Sequence, residues 1–262
     1  MTRMGLQLEV AEGLARLTFT DAARGNPIDG PLCAALCESA IQISENRDVR
    51  CVLLSAEGNV FSYGGDVDAL ASNLDGLAMN VKRWTTQLHG AIARFQRMDA
   101  PIVAAVHGVC AGGMAAIVAG SDVVIGAENA RFLAAYTGIG FSCDAGASIM
   151  FSRRMGLARA RRFLILNETL SAAEALEVGL IDEVVPTEQL HVRAQAVARQ
   201  LAAGPTRALG EIRRLLISAQ DPPLETQLEL EAQALARIAA TGDARKGLTA
   251  FVEKLKPQFQ GR

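Results

Sequence analysis

The sequence predicts an α/β fold, and three observations carry that prediction. Short apolar runs such as Val49–Ser55 and Ile102–Val106 are bounded by turn residues, as buried strands are. Stretches of helical period alternate with these runs up to about residue 145. Glycine-rich loops stand at the strand-to-helix junctions. Alternation of this kind calls for crossover connections and a largely parallel sheet.

The elements follow in order. Residues 6–20, LQLEVAEGLARLTFT, alternate as a hairpin turned at Glu12-Gly13. The loop DAARGNPID leads into a helical pattern over 27–44, with Leu32, Leu36, Ala40 and Ile43 at three- and four-residue steps. A strand over 49–55 enters the loop EGNVFSYGGD, which ends in a helical start at Asp66. Residues 78–98 form an amphipathic helix, and 102–106 a strand after Pro101. HGVCAGG reads as a glycine turn and MAAIVAGS as a helix, with further strands at 123–125 and 130–133. Beyond residue 145 the pattern is helical throughout: SIMFSRRMG, ARARRFLILN, SAAEALEVG and the spans 187–203, 205–218 and 224–240. Pro186, Gly204-Pro205 and Pro222-Pro223 separate several of these helices.

Composition narrows the function classes. A net charge of −2, from 26 basic and 28 acidic residues, argues against a nucleic-acid surface built on bulk positive charge. The five cysteines are odd in number and flanked by apolar residues, which reads as reduced buried thiols in a cytoplasmic protein. Cys33 and Cys37 lack a second close pair, so no metal site is expected. The N-terminal MTRMGLQLEVAEG has no apolar run of the export-signal kind, and no membrane span is expected in the chain.

Two glycine loops stand out. Gly58–Asp66 and His107–Met114 each follow an apolar strand and precede a helix. That placement leaves backbone N–H groups free in a first helical turn, and two such groups aimed at one point make an oxyanion hole. Neither loop has the spacing of a nucleotide-binding motif.

The segments RGNPID (24–29), NVFSYGGDV (59–67) and PIVAAVHGVCAGGMAAIVAGSDVVI (101–125) resemble the enoyl-CoA hydratase/isomerase (crotonase) superfamily. The likeness continues through ARF (130–132), IGFSCDAG (139–146), GLARARRFLILNETLSAAEALEVGLIDEVVP (156–186) and DARKGLTAFVEKLKPQF (243–259). It covers nearly the whole chain in order. The resemblance implies a spiral of ββα units, with an α/β core over 1–200 and a helical trimerisation region over 201–262. It implies a homotrimer or a dimer of trimers acting on acyl-CoA thioesters, with no cofactor beyond the coenzyme A that the substrate carries. Carried over by position, the oxyanion donors are the N–H groups of Tyr63 and Gly113. Arg24 and Lys254 are expected at the CoA phosphates, Phe251 beside the adenine, and the backbone of Ser62, Gly64 and Asp66 against the adenine.

The same resemblance locates two glutamates used by hydratases of the superfamily at Ala116 and Tyr136, where this chain has none. Alanine moves no proton, and a tyrosine of ordinary pKa, about 10, is a poor base. Asp144, in IGFSCDAGAS, matches the aspartate of isomerase-like members and of a chlorobenzoyl-CoA dehalogenase. One carboxylate suffices for a 1,3 proton shift, so a double-bond isomerase is the leading reading. Its alternatives are a hydratase, a dehalogenase-like hydrolase using Asp144 with His89, and an acyl-CoA-binding protein without catalysis. Asp144 also reads as an N-cap for a helix near 145–154, although Ala147 stands where a capping box wants Glu or Gln. His89 reads as a helical histidine at a subunit or solvent face, and His107 as a local hydrogen-bonding group.

Overall fold

The computed structural model describes residues 2–3, 5–220 and 222–261. Among the described residues ten strands are formed: β1 Thr2–Arg3, β2 Leu6–Ala11, β3 Leu14–Phe19, β4 Cys51–Ala56, β5 Ile102–Val106, β6 Val109–Ala111, β7 Val123–Ala127, β8 Arg131–Leu133, β9 Thr169–Ser171 and β10 Glu183–Val185. Five helices build the first half and its site: α1 Gly30–Glu45, α2 Val67–Ala71, α3 Leu77–Arg97, α4 Gly112–Ala119 and α5 Ala147–Met155. Six more follow: α6 Leu157–Ile165, α7 Ala172–Glu177, α8 Leu190–Ala202, α9 Thr206–Ser218, α10 Leu224–Ala239 and α11 Gly242–Val252.

Seven strands form one sheet in the order β1-β2-β3-β4-β5-β7-β10. The hairpin edge is antiparallel, and β3, β4, β5, β7 and β10 run parallel. Strands β6, β8 and β9 make a second, smaller sheet. This is an α/β spiral of ββα units with a helical C-terminal region, as the sequence pattern and the resemblance led us to expect.

Alternation within the strands sorts two cores. Val52, Leu54, Ile102, Ala104 and Val106 face a core shared with α1, α3 and α4. Cys51, Leu53, Val103 and Ala105 face the opposite way, onto Leu190, Ala194, Ala198 and Ala202 of α8. A sheet buried on both sides needs apolar residues at every position, which is why its strands read as unbroken apolar runs.

Three short strands depart from the sequence reading. HGVCAGG is not only a turn, because Val109–Ala111 pairs with β8. The chain beyond residue 145 is not all helical, because β9 pairs with β8 and β10 closes the main sheet against β7. Each of the three has three residues, too few to show a period. Their partners define them.

The C-terminal helices are fastened by buried charge. Arg213 on α9 donates to Asp122 at 2.9 Å and to the carbonyls of Phe95, Met98 and Ala100. α10 buries only Ala234 and leaves Leu224, Leu228 and Leu235 exposed. No helix among the described residues is long and apolar enough to cross a membrane.

Candidate active site

The two glycine loops abut. Ser62 N–H donates to Val109 O, and Ala111 N–H returns a bond to Ser62 O at 3.0 Å. Gly64 has φ +88°, and a Cβ there would lie 2.9 Å from Ala111 O. Only glycine lets the loops approach this closely. On its other side the first loop pairs with the segment before α1: Tyr63 N–H donates to Gly25 O at 3.0 Å, Ile28 N–H to Gly64 O, and Asp66 N–H to Ile28 O.

This pairing makes residues 62–66 alternate. Ser62 is fully buried; its Oγ donates to Asn26 O and accepts from Gly64 N–H. Asp66 caps α2 through Ala69 N–H. Ser62, Gly64 and Asp66 are therefore turned into the protein, and the Ser62 and Asp66 side chains hold the loop in place. Tyr63 and Gly65 face outward instead.

Tyr63 is corrected as an oxyanion donor, because its N–H is already committed to Gly25 O. The Gly65 N–H has no acceptor among the described residues, and a Cβ built on Gly65 meets nothing within 4 Å. Gly113 is the second residue of α4, where no carbonyl lies one turn back within the helix. Gly65 and Gly113 line the same cavity, of about 460 Å³, together with Asp144. The sequence missed Gly65 because loop periodicity cannot show which N–H the 25–29 segment consumes.

Asp144 lies against Gly113: a Cβ built on that glycine would be 3.4 Å from Asp144 Oδ1. It is not a helix cap. α5 starts at Ala147 with Gly146 as its N-cap, and no side chain makes the capping bond. The strained turn of Ala145 (φ +52°) and Gly146 (φ +81°) takes up the loop geometry and leaves the carboxylate in the cavity wall. Burial pushes the Asp144 carboxyl above its ordinary value, and the Tyr136 hydroxyl and His89 partly offset that rise.

Two neighbours hold this loop. The Tyr136 hydroxyl donates to Asp144 O at 3.3 Å. Burial, with the Asp144 charge beside it, drives the Tyr136 phenol far above its usual value, so it acts as a donor and not as a base. From α3, His89 Nε2 accepts the Ala145 N–H at 3.2 Å, which places its ring proton on Nδ1. His89 thus meets the Asp144 loop, a contact that helical periodicity alone did not reveal. Ala116 is fully buried in the core and does not line the cavity. His107 is buried beside Phe61, bonds Gly58 O at 3.0 Å and has its pKa lowered mainly by desolvation, which suits a local hydrogen-bonding task.

Arg24 is also reassigned. Its Nε donates to Asp21, Nη1 to Asp66 and Nη2 to Asp29, all within 2.9 Å. Asp29 caps α1 and Asp66 caps α2, so one guanidinium ties both caps across the strand-like pairing that presents Gly65. Three carboxylates around one cation leave no positive excess for a phosphate. We expect Arg24→Met to lower turnover on the order of tenfold or more through misplacement of Gly65, with thioester affinity unchanged by calorimetry. Weakened affinity at unchanged turnover would return Arg24 to phosphate binding.

Phe251, 83% exposed, and Lys254, with φ +56°, lie at and beyond the end of α11. Neither lines the cavity of their own chain.

Residues 9–262 match the family model described as enoyl-CoA hydratase/isomerase. The chain is 35% identical over 257 residues to 1,2-epoxyphenylacetyl-CoA isomerase of Escherichia coli (strain K12), covering 97% of both chains. It is 29% identical to 4-chlorobenzoyl coenzyme A dehalogenase-1 of an Arthrobacter species, over 87% of this chain and 83% of that one. Its fold superposes on an enoyl-CoA hydratase/isomerase crystal structure from Cupriavidus metallidurans CH34 with a TM-score of 0.91, at 28% identity, covering 100% of this chain and 98% of the other. With the match spanning both glycine loops and the Asp144 turn, this chain belongs to the enoyl-CoA hydratase/isomerase family.

Proposed function

We propose that this acyl-CoA-transforming enzyme is an isomerase that moves a double bond from the β,γ to the α,β position of a CoA thioester. The observation that carries this reading is the position of Asp144, the only carboxylate lining the cavity among the described residues, directly beside Gly113. The Gly65 and Gly113 N–H groups hold the thioester oxygen. The Asp144 carboxylate takes a proton from the α-carbon; the C–H electron pair becomes a double bond to the carbonyl carbon, and the carbonyl π pair moves onto that oxygen, in conjugation with the β,γ double bond. The resulting dienolate recovers the proton at the γ-carbon, and the new double bond forms between the α- and β-carbons. N–H donors aimed at the developing charge stabilise it without reorganisation. No second acid or base is required, which suits a site with alanine at 116 and a protonated tyrosine at 136.

Coenzyme A enters with the substrate. Phe251 and Lys254 reach the CoA of a neighbouring copy in this reading, with the exposed leucines of α10 inside a homotrimer or dimer of trimers. The test is a 3-enoyl-CoA substrate followed to its 2-enoyl product. Conversion without a hydrated product supports the isomerase, and faster water addition to 2-enoyl-CoA supports the hydratase.

A second reading has one observation in its favour. His89 on α3 meets the Asp144 loop, the pair of residues a dehalogenase-like hydrolase would use if the Asp144 carboxylate attacks a ring carbon and expels a halide; to activate water, its Nε2 would first release the Ala145 N–H. Release of chloride from a chlorobenzoyl-CoA would decide for it.

The raised Asp144 pKa sets a pH dependence. The base must be ionised, so the isomerisation rate should fall on the acid side, as pH drops through a value above the ordinary carboxylate range. Stability runs the other way. A raised folded pKa favours the protonated form; its contribution is complete below the unfolded value and is lost as pH rises through the folded one. At neutral pH the ionised group therefore weighs against folding. Asp144→Asn should raise the melting temperature at pH 7, by an amount that shrinks toward low pH in a thermal scan.

A further inference from the structure

Aromatic residues are only 5% of the chain, yet both tyrosines and the single tryptophan line one cavity. Tyr63, 58% exposed, stands at its mouth beside Gly65. Trp84 from α3 and Phe141 from the loop before Asp144 are half-buried in its wall, and Tyr136 is 7% exposed. None of these four rings contacts another ring; the aromatic pairs among the described residues are Phe19–Phe61, Phe61–His107 and Phe151–Phe163. Buried rings ordinarily meet partners edge-to-face or offset. Here the four residues line the cavity instead.

The rings are also held in place. A Cβ at Gly30 would lie 2.7 Å from Trp84 Nε1, so the indole is seated on the first turn of α1 at a position where only glycine fits. Tyr136 is pinned by its hydroxyl on Asp144 O and by its own N–H on Asn167 Oδ1. Phe141 follows the Gly140 turn, at φ +75°. Pre-set rings lose little freedom when a planar group enters between them. Leu70, Leu77, Val81 and Leu88 add an aliphatic stretch of wall that suits the edge of such a group.

We propose that the acyl group taken by this cavity carries a planar six-membered ring, aromatic or partly unsaturated, close to the thioester carbonyl, and that Trp84, Tyr136 and Phe141 select it over a straight chain. This rests on the acyl-thioester reading of the site. Tyr63 lies outside the claim, because its exposure also suits the adenine end of the substrate.

Trp84 is the only tryptophan, so intrinsic fluorescence reports on this wall alone. The enzyme is titrated with phenylacetyl-CoA and with octanoyl-CoA, equal in acyl carbon number, with free coenzyme A as the control for its adenine. Phenylacetyl-CoA should shift Trp84 emission and bind about tenfold tighter than octanoyl-CoA by calorimetry. Trp84→Leu should bring the two affinities within about threefold, and Trp84→Phe should restore much of the preference. Equal or tighter binding of octanoyl-CoA, or an unchanged preference in Trp84→Leu, would overturn the proposal. Binding of neither thioester would overturn the acyl-CoA reading beneath it, which separates the two failures.

Discussion

Asp144→Asn is expected to reduce isomerisation of a 3-enoyl-CoA by about 10³-fold or more, in the upper range for loss of a positioned proton-transfer group. Thioester affinity should persist, because the amide is nearly isosteric and the Gly65 and Gly113 N–H groups are untouched. The same substitution should stabilise the fold at neutral pH, since burial disfavours the charged carboxylate. Loss of rate together with a gain in melting temperature separates a functional residue from a packing one. A merely structural aspartate would lose both. Asp144→Ala should lose as much rate, with less effect on stability, because it leaves a small void beside Gly113.

The second large effect lies at Gly113. A backbone N–H cannot be deleted by ordinary substitution, but access to it can be closed. A Cβ there meets Ile28 Cδ1 at 3.3 Å, and Ala145 Cβ and Asp144 Oδ1 each at 3.4 Å. Gly113→Ala requires shifts of a few tenths of an ångström and should cost on the order of tenfold in turnover. Gly113→Val, with two further methyls beside the carboxylate, should cost about 10²- to 10³-fold, the range for loss of one oxyanion donor. A graded loss in steady-state kinetics, with circular dichroism unchanged, is the expected series. Equal activity of both variants would show that the reacting oxygen lies elsewhere.

Much of this was legible in the sequence. The main strands are apolar on both faces, so they announce themselves as runs, and Asp66 marks the start of α2; the first helix, expected over 27–44, starts instead at Gly30 behind the Asp29 cap. Asp144 was legible as a candidate because the other expected carboxylate positions hold Ala116 and Tyr136. What stayed hidden depends on partners distant in sequence. Strand β10 exists because Glu183–Val185 pairs with β7. Tyr63 and Gly65 are two residues apart and equally plausible donors until the 25–29 segment takes one N–H and leaves the other free. Arg24 looks like a phosphate ligand until Asp21, Asp29 and Asp66 are seen around it. His89 looks like a helical residue without a partner until the Asp144 loop brings Ala145 N–H to its ring.

The reassignments of Tyr63 and Arg24 share a physical origin. Residues 24–29 and 62–66 pair as two short parallel segments, and this pairing decides which groups are spent on structure and which face substrate. Gly64 and Gly25, both at positive φ, let the segments close; a Cβ at Gly25 would strike the Tyr63 ring at 2.3 Å. The site is thus assembled from backbone whose free donors are those left over after pairing.

The central claim is that Asp144 carries one proton from the α- to the γ-carbon. The most direct measurement uses a 3-enoyl-CoA with both α-hydrogens replaced by deuterium, turned over in ordinary water and analysed by mass spectrometry and NMR at early times. The account predicts deuterium at the γ-carbon of part of the product, because the proton rides on a carboxylate in a largely apolar cavity, and no product from Asp144→Asn. Product free of γ-deuterium, formed by Asp144→Asn at near the unsubstituted rate, would contradict it.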